Sequence, residues 1–159
     1  MWNGLVKRFE KLGEVVRVDL PGHGQSGNLS EVHSMEDVAD AIRKVIDVLG
    51  LKKPVILGHS MGGYVALAYA ELYDNLSGLG LFFSTPHADS PARKIMREKA
   101  EVLVLQNRKS FIRAAIPQLF SAELRTHLSE KIAQQIEYSL EMGVEGVIAA
   151  IHGMKIRAD

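Results

Sequence analysis

Cysteine is absent from this chain, which removes thiol nucleophiles, thiolate metal sites and disulfide frameworks together. The chain must hold itself together by burial, and 47% apolar residues over 159 positions suit a single core-forming domain. A reducing compartment fits that lack, so the expected location is cytoplasmic. Net charge is missing too. Lys+Arg and Asp+Glu balance at 19 each, so no overall field favours nucleic acid or an anionic membrane, and neither is expected as a partner. No stretch approaches the ~20 apolar residues of a membrane span. The start, Met1-Trp2-Asn3-Gly4-Leu5-Val6-Lys7-Arg8-Phe9, has no long apolar run after a basic segment. Repeats and low-complexity tracts are absent. With no metal-ligand cluster, phosphate-binding loop or nicotinamide fingerprint, no cofactor and no metal are expected.

What is present is an alternation of short apolar runs and amphipathic stretches. Trp2, Leu5, Val6 and Phe9 share a helical spacing that Gly13 stops. Residues 15–20, rich in β-branched side chains and bounded by glycine and Pro21-Gly22, predict a strand. A glycine-rich turn runs from Pro21 to Asn28. Ser34-Met35-Glu36-Asp37 reads as a capping box, and Met35, Val38, Ile42, Val45, Ile46 and Leu49 line one face of the helix it opens, up to Gly50. His33, just ahead of that cap, is expected to be solvated. Residues 54–57 are a continuous apolar run that breaks into Gly58-His59-Ser60-Met61-Gly62-Gly63 and resumes as a helix through Tyr73. Residues 79–83 predict another buried strand. The order implies an α/β fold with a parallel sheet. Beyond Phe83 only helices are expected, starting at Ser90-Pro91, Ser110 and Ser121, with breaks at Pro117, Gly143 and Gly146. The predicted organisation is one domain, a sheet core over 1–87 and a helical cap over 88–159.

The Gly58–Gly62 pentamer carries the chemistry. A serine is a poor nucleophile at neutral pH unless a base takes its proton and donors receive the oxyanion that forms. A sharp strand-to-helix turn lifts the Ser60 side chain above the sheet's carboxyl edge and aims the Met61 backbone N–H at the developing charge. Gly58 and Gly62 leave room for helix and strand to meet, and Gly63, Ala66 and Ala70 extend the close packing. A G-x-S-x-G pentamer alone is a weak signal; an apolar strand before it and a helix after it are the setting the motif demands.

Val18-Asp19-Leu20-Pro21-Gly22-His23-Gly24-Gln25-Ser26 followed by Leu57-Gly58-His59-Ser60-Met61-Gly62-Gly63 resembles the α/β-hydrolase superfamily, in its small esterase, lyase and C–C hydrolase branch. The resemblance covers essentially the whole chain. It implies that Ser60 is the nucleophile, that Met61 supplies an oxyanion N–H, and that Asp19, Gly22, Gly24 and Ser26 order the turn beside the site. Serine at the elbow argues against the haloalkane dehalogenase and epoxide hydrolase branches, which carry Asp there. Cavity space beneath the cap, next to Ser60, is implied as well.

The same resemblance implies parts that this chain is not expected to contain: a strand and His-Gly loop ahead of the first helix, an acid after the strand that follows the cap, and a base histidine after the last strand. Of the six histidines, none holds the base's place in chain order. His23 belongs to the turn, and His127 and His152 to cap helices. His59 and His87 are the candidate substrate contacts. Asp89 stands where some members place the acid, but Ser90-Pro91 makes it an N-terminal charge of the next helix. The expected function is a serine hydrolase of small ester-like or related carbonyl substrates through an acyl-enzyme. The alternative is a non-catalytic ligand-binding protein or an inactive fragment of the same origin. If the central strand is absent, strands 15–20 and 55–57 must pair directly, borrow a strand by self-association, or stay partly unfolded.

Overall fold

The computed structural model describes residues 2–159. Trp2–Gly4 forms a 3-10 turn and Val6–Phe9 a single helical turn, α1, so the expected opening helix is present as two short pieces. Residues 15–20 are not a strand. Among the described residues the sheet contains two strands, β1 (Val55–His59) and β2 (Gly78–Phe82), and 15–20 joins neither. A strand needs a neighbour whose N–H and C=O groups lie alongside. Among the described residues none offers that ladder to 15–20, and Val16 and Val18 stay exposed. Direct pairing of 15–20 with β1 therefore does not occur.

The capping box forms helix α2 (Met35–Val48). The Ser34 hydroxyl oxygen accepts from the Asp37 backbone N–H at 3.1 Å and donates to the Asp37 carboxylate at 2.6 Å, satisfying one of the four N–H groups a helix start leaves orphaned. Helix α3 (Met61–Leu72) is apolar nearly all round and is accordingly buried. The core lies between α2 and α3, where Met35, Val38, Ala39 and Ile46 meet Tyr64, Val65, Ala68 and Tyr69. Tyr69 is fully buried and its hydroxyl donates to Asn75 Oδ1 at 2.8 Å, which removes the cost of burying it.

β1 and β2 run parallel with Val55 opposite Gly78 and His59 opposite Phe82. The ladder extends one residue past each end: Ser77 N–H donates to Pro54 O and Ser60 N–H donates to Phe82 O, both at 2.9 Å. The second strand is not buried as its composition predicts, since Leu79, Leu81 and Phe82 are each more than a third exposed. A parallel sheet buries its strands only when helices cover both faces, and α3 is the helix that packs on this pair most closely.

From Ser90 on, the chain is helical: α4 (Pro91–Gln118), a 3-10 turn at Ala122–Leu124, α5 (Ser129–Leu140) and α6 (Val144–Ile156). Ser90 caps α4 by accepting from Arg93 N–H. Ser110 starts no helix. α4 kinks at Asn107, whose side-chain oxygen accepts from Ser110 N–H at 3.0 Å, so the residue three positions earlier does the capping. Ser121 opens only the 3-10 turn. Pro117 sits in the last turn of α4, and Gly143 caps α6, both at breaks.

Gly146, in contrast, lies inside α6. It is there because the glycine-rich turn touches it: a Cβ on Gly146 would sit 2.6 Å from Gly22 O, and one on Gly22, whose φ is +74°, would sit 2.7 Å from Gly146 Cα. His33 completes this joint and is not solvated; it is 1% exposed. Its N–H donates to Ala149 O of α6 at 3.0 Å, its Nε2 accepts from Leu29 N–H at 3.2 Å, and its carbonyl lies against Gly153, where no Cβ fits. Gly153→Ala should therefore lower the unfolding free energy by about 1–3 kcal/mol through overpacking. An unchanged urea midpoint would show that α6 is not seated on His33.

Burial, with His23 nearby, holds His33 below its ordinary pKa, against the opposing pull of Asp37. The unfolded chain then binds this proton more readily than the folded one, so stability falls as pH drops below about 6.5, the unfolded value. Melting temperature should decline between pH 7 and pH 5. In His33→Gln, whose amide oxygen can still accept from Leu29, that part of the decline should vanish; an identical slope would rule His33 out as its source.

Candidate functional site

Ser60 occupies the one residue between the end of β1 and the start of α3, at the carboxyl edge of the parallel pair. Its φ is +52° and ψ is −120°, a region that β-carbon-bearing residues rarely adopt and that costs on the order of 1–3 kcal/mol. Three hydrogen bonds hold it there. Its N–H donates to Phe82 O (2.9 Å), its C=O accepts from Gly63 N–H (2.9 Å), and the Ser84 hydroxyl donates to the same carbonyl (2.9 Å). The Ser60 side chain, though at the N-cap position, does not cap α3, and it is exposed. Met61 is the first residue of α3, so its N–H is among the leading donors that no carbonyl of the helix accepts.

The glycines around Ser60 divide in two. A Cβ on Gly58 would lie 2.5 Å from Gly63 Cα, and one on Gly63 would strike Ser84, so these two keep helix and strand close. Gly62 does not share that reason, because a Cβ there meets open space among the described residues. Ala66 is buried but Ala70 faces outward, so the close packing stops before the third turn of α3.

The neighbouring turn is organised by Asp19. Its carboxylate accepts from Gln25 N–H (3.1 Å), its carbonyl from the Ser26 hydroxyl (2.7 Å), and Gly24 packs against its side chain. This is the ordering role that the resemblance implied for Asp19.

The histidine rings are engaged elsewhere. His23 Nδ1 lies 3.0 Å from Pro21 O, and His152 Nε2 lies 3.0 Å from Glu101. His87 projects outward with its side chain 81% exposed, 4.0 Å from the Asp159 carboxylate, rather than facing a pocket. His59 is half-buried, its ring set edge-on to Phe83 with centroids 5.9 Å apart. Burial holds its pKa below the ordinary value, which favours the neutral imidazole.

Asp89 is neither a solvated helix charge nor a free acid. Its side chain is fully buried between Arg97, whose Nε donates to Oδ2, and Arg157, whose Nη1 donates to Oδ1 at 2.8 Å. Arg157 also donates to His87 O (2.7 Å) and Met154 O (2.9 Å), and its guanidinium lies 3.8 Å from the centre of the Tyr64 ring. Burial alone pushes the Asp89 carboxyl up, but the two arginines outweigh it and hold it below the ordinary carboxylate value. Sequence reading missed Arg157, since nothing local marks a partner 68 residues away.

Two cavities border the helices. One of about 260 Å³ lies against α2 and α3, where Met35, Tyr64, Leu67, Thr85 and Arg157 contribute to its wall. The other, about 500 Å³ and open, runs along α4 at Ile95, Glu98, Lys99, Val102 and Leu103. Ser60 is not among the residues that line these two. A cavity needs walls on several sides, and Ser60 is exposed next to a Phe83 that is 91% exposed. No helix among the described residues is long and apolar enough to cross a membrane.

Known proteins share this fold. A family model described as "alpha/beta hydrolase fold" matches residues 1–124. A solved thermophilic esterase from Thermogutta terrifontis is 33% identical, superposes with a TM-score of 0.91, and is matched over 99% of this chain and 59% of its own. An enol-lactonase from Burkholderia xenovorans LB400 superposes with a TM-score of 0.88 over 98% of this chain and 59% of its own; at 21% identity it supports the fold alone. An (E)-2-((N-methylformamido)methylene)succinate hydrolase from Acinetobacter baylyi is 30% identical over 106 residues, 64% of this chain and 39% of that protein. The chain thus spans less than two thirds of the length of these relatives.

Proposed function

The chain belongs to the α/β-hydrolase fold family, and from that premise we propose that it is the part of a serine hydrolase carrying the nucleophile, Ser60, for small ester-like or related carbonyl substrates. The observation that carries this reading is the strained backbone of Ser60, φ +52°, at a β1–α3 turn on the sheet's carboxyl edge. Strain of this kind persists only where surrounding contacts impose it, and here three hydrogen bonds do so. The hydroxyl is left uncommitted to capping and open to solvent.

In the reaction, Ser60 Oγ adds to the substrate carbonyl, and its proton passes to a general base. The oxyanion that forms is received by the Met61 N–H, aided by the positive end of α3. Collapse expels the alcohol or enol, which takes up the proton, and leaves an ester on Ser60. Water then hydrolyses that ester and regenerates the hydroxyl. General base and acid are not assigned to residues of this chain.

A fluorophosphonate reacts with serine hydroxyls that are activated in this way and leaves ordinary serines alone. Incubation of protein in which a general base completes the site, followed by peptide mass analysis, should place one adduct on the peptide containing Ser60. Adducts spread over several serines, or none at Ser60, would refute the assignment.

A further inference from the structure

Phe83 is the least comfortable residue beside Ser60. It follows β2 directly, has φ +48°, and is one of two non-glycine residues with positive φ among those described, Ser60 being the other. Left-handed backbone is a genuine outlier for a bulky side chain. The residue is also 91% exposed among the described residues, so within them the strain is not compensated by burying it.

Its position relative to Ser60 is set from both sides. Phe82, immediately before it, accepts the Ser60 N–H, and Ser84, immediately after it, donates its hydroxyl to the Ser60 carbonyl. Phe83 is therefore bracketed by the hydrogen bonds that strain the serine. Its ring stands edge-on to that of His59, the residue preceding Ser60. Two aromatic rings thus share the sheet edge with the hydroxyl.

Resting on the reading of Ser60 as nucleophile, we infer that Phe83, with His59 behind it, is the specificity-determining wall of the acyl side, selecting carbonyl substrates that carry an aromatic ring next to the scissile carbonyl. An exposed aromatic face gains from stacking or edge contact with another ring, and that contact excludes water from both. An acetyl group is too small to reach such a contact. Strained residues cluster at sites where the strained geometry presents a group to a ligand, and Phe83 combines strain, exposure and proximity to Ser60.

The test compares p-nitrophenyl benzoate with p-nitrophenyl acetate in purified protein whose site is completed by a general base and acid. In Phe83→Ala the ratio of kcat/KM for benzoate over acetate should fall about tenfold, the range expected for loss of a ring contact. Phe83→Gly, which suits φ +48° without strain, keeps the fold if alanine does not and should show the same fall. A ratio unchanged in both variants, or both substrates slowed equally, would overturn the proposal.

A second arm is independent of turnover. In a Ser60→Ala background, the dissociation constant of unhydrolysed p-nitrophenyl benzoate, relative to that of the acetate, should rise about tenfold when Phe83→Ala is added. Equal values would reject the aromatic wall. If this binding preference holds while wild-type protein shows no Ser60-dependent turnover, the nucleophile assignment fails and Phe83 stands. If turnover depends on Ser60 but neither ratio responds to Phe83, the reverse applies.

Discussion

Where a general base and acid complete the site, Ser60→Ala is expected to lower kcat/KM for an activated ester by about 10⁶-fold, with KM changed far less than kcat. A nucleophile acts in the transition state rather than in ground-state binding, so its removal appears in kcat. At ~1.36 kcal/mol per decade, a 10⁶-fold loss corresponds to about 8 kcal/mol of transition-state stabilisation. Fold stability should hardly change. Alanine cannot relieve a φ of +52°, but no hydrogen bond from the Ser60 side chain holds α3 in place, so the melting temperature should stay within a degree or two. Glycine, free to adopt that backbone, should raise it slightly. Loss of turnover together with loss of folding would mean the serine is structural. Turnover retained within tenfold would remove it from the chemistry altogether.

Arg157→Ala is expected to cost about 3–5 kcal/mol of folding stability, the largest effect we expect away from Ser60. The substitution strips one of two cations from a carboxylate with no exposed surface, and an uncompensated buried charge is expensive. It also deletes the donors to His87 O and Met154 O and the stack on Tyr64. Because Asp89 precedes α4 and Arg157 follows α6, the pair closes the neck through which the helical segment joins the sheet. Proteolysis in the 91–156 segment should accelerate with the stability loss. A conservative Arg157→Lys should recover only part of it, since an ammonium cannot serve three acceptors from one plane as the guanidinium does. A loss under 1 kcal/mol would show that the network is not closed in solution.

The same network sets an acid limit. Asp89 has a lower pKa folded than unfolded, so its contribution is complete above the unfolded value near 4 and is lost as pH falls through the folded value. His33 acts higher, below about pH 6.5, so acid titration of stability should show two separable phases. Arg157→Ala should blunt the lower phase and leave the His33 phase in place.

Local chemistry made much of this legible from the amino-acid sequence by itself. The Ser34 capping box, the apolar run of β1 and the small-residue turn at Gly58–Gly63 each act within a few residues, so pattern alone located α2, the β1–Ser60–α3 elbow and the helical segment from Ser90 onward. The glycine-rich turn from Pro21 to Asn28 was readable for the same reason. What the sequence could not decide were matters settled by partners distant in the chain. Residues 15–20 carry the composition of a strand, but a ladder belongs to two segments, and among the described residues no neighbour lies alongside. His33 has the look of a surface histidine, yet α6, more than a hundred residues later, closes over it. Gly146 would pass for a helix breaker until Gly22 is seen against it. Asp89 reads as a helix-start charge until Arg157 arrives to neutralise it, and no residue type announces that Phe83 takes a left-handed backbone beside Ser60. Hydrophobic period and capping are local energies and can be read along one dimension; burial, pairing and strain come from segments brought together, and only the tertiary structure shows which segments those are.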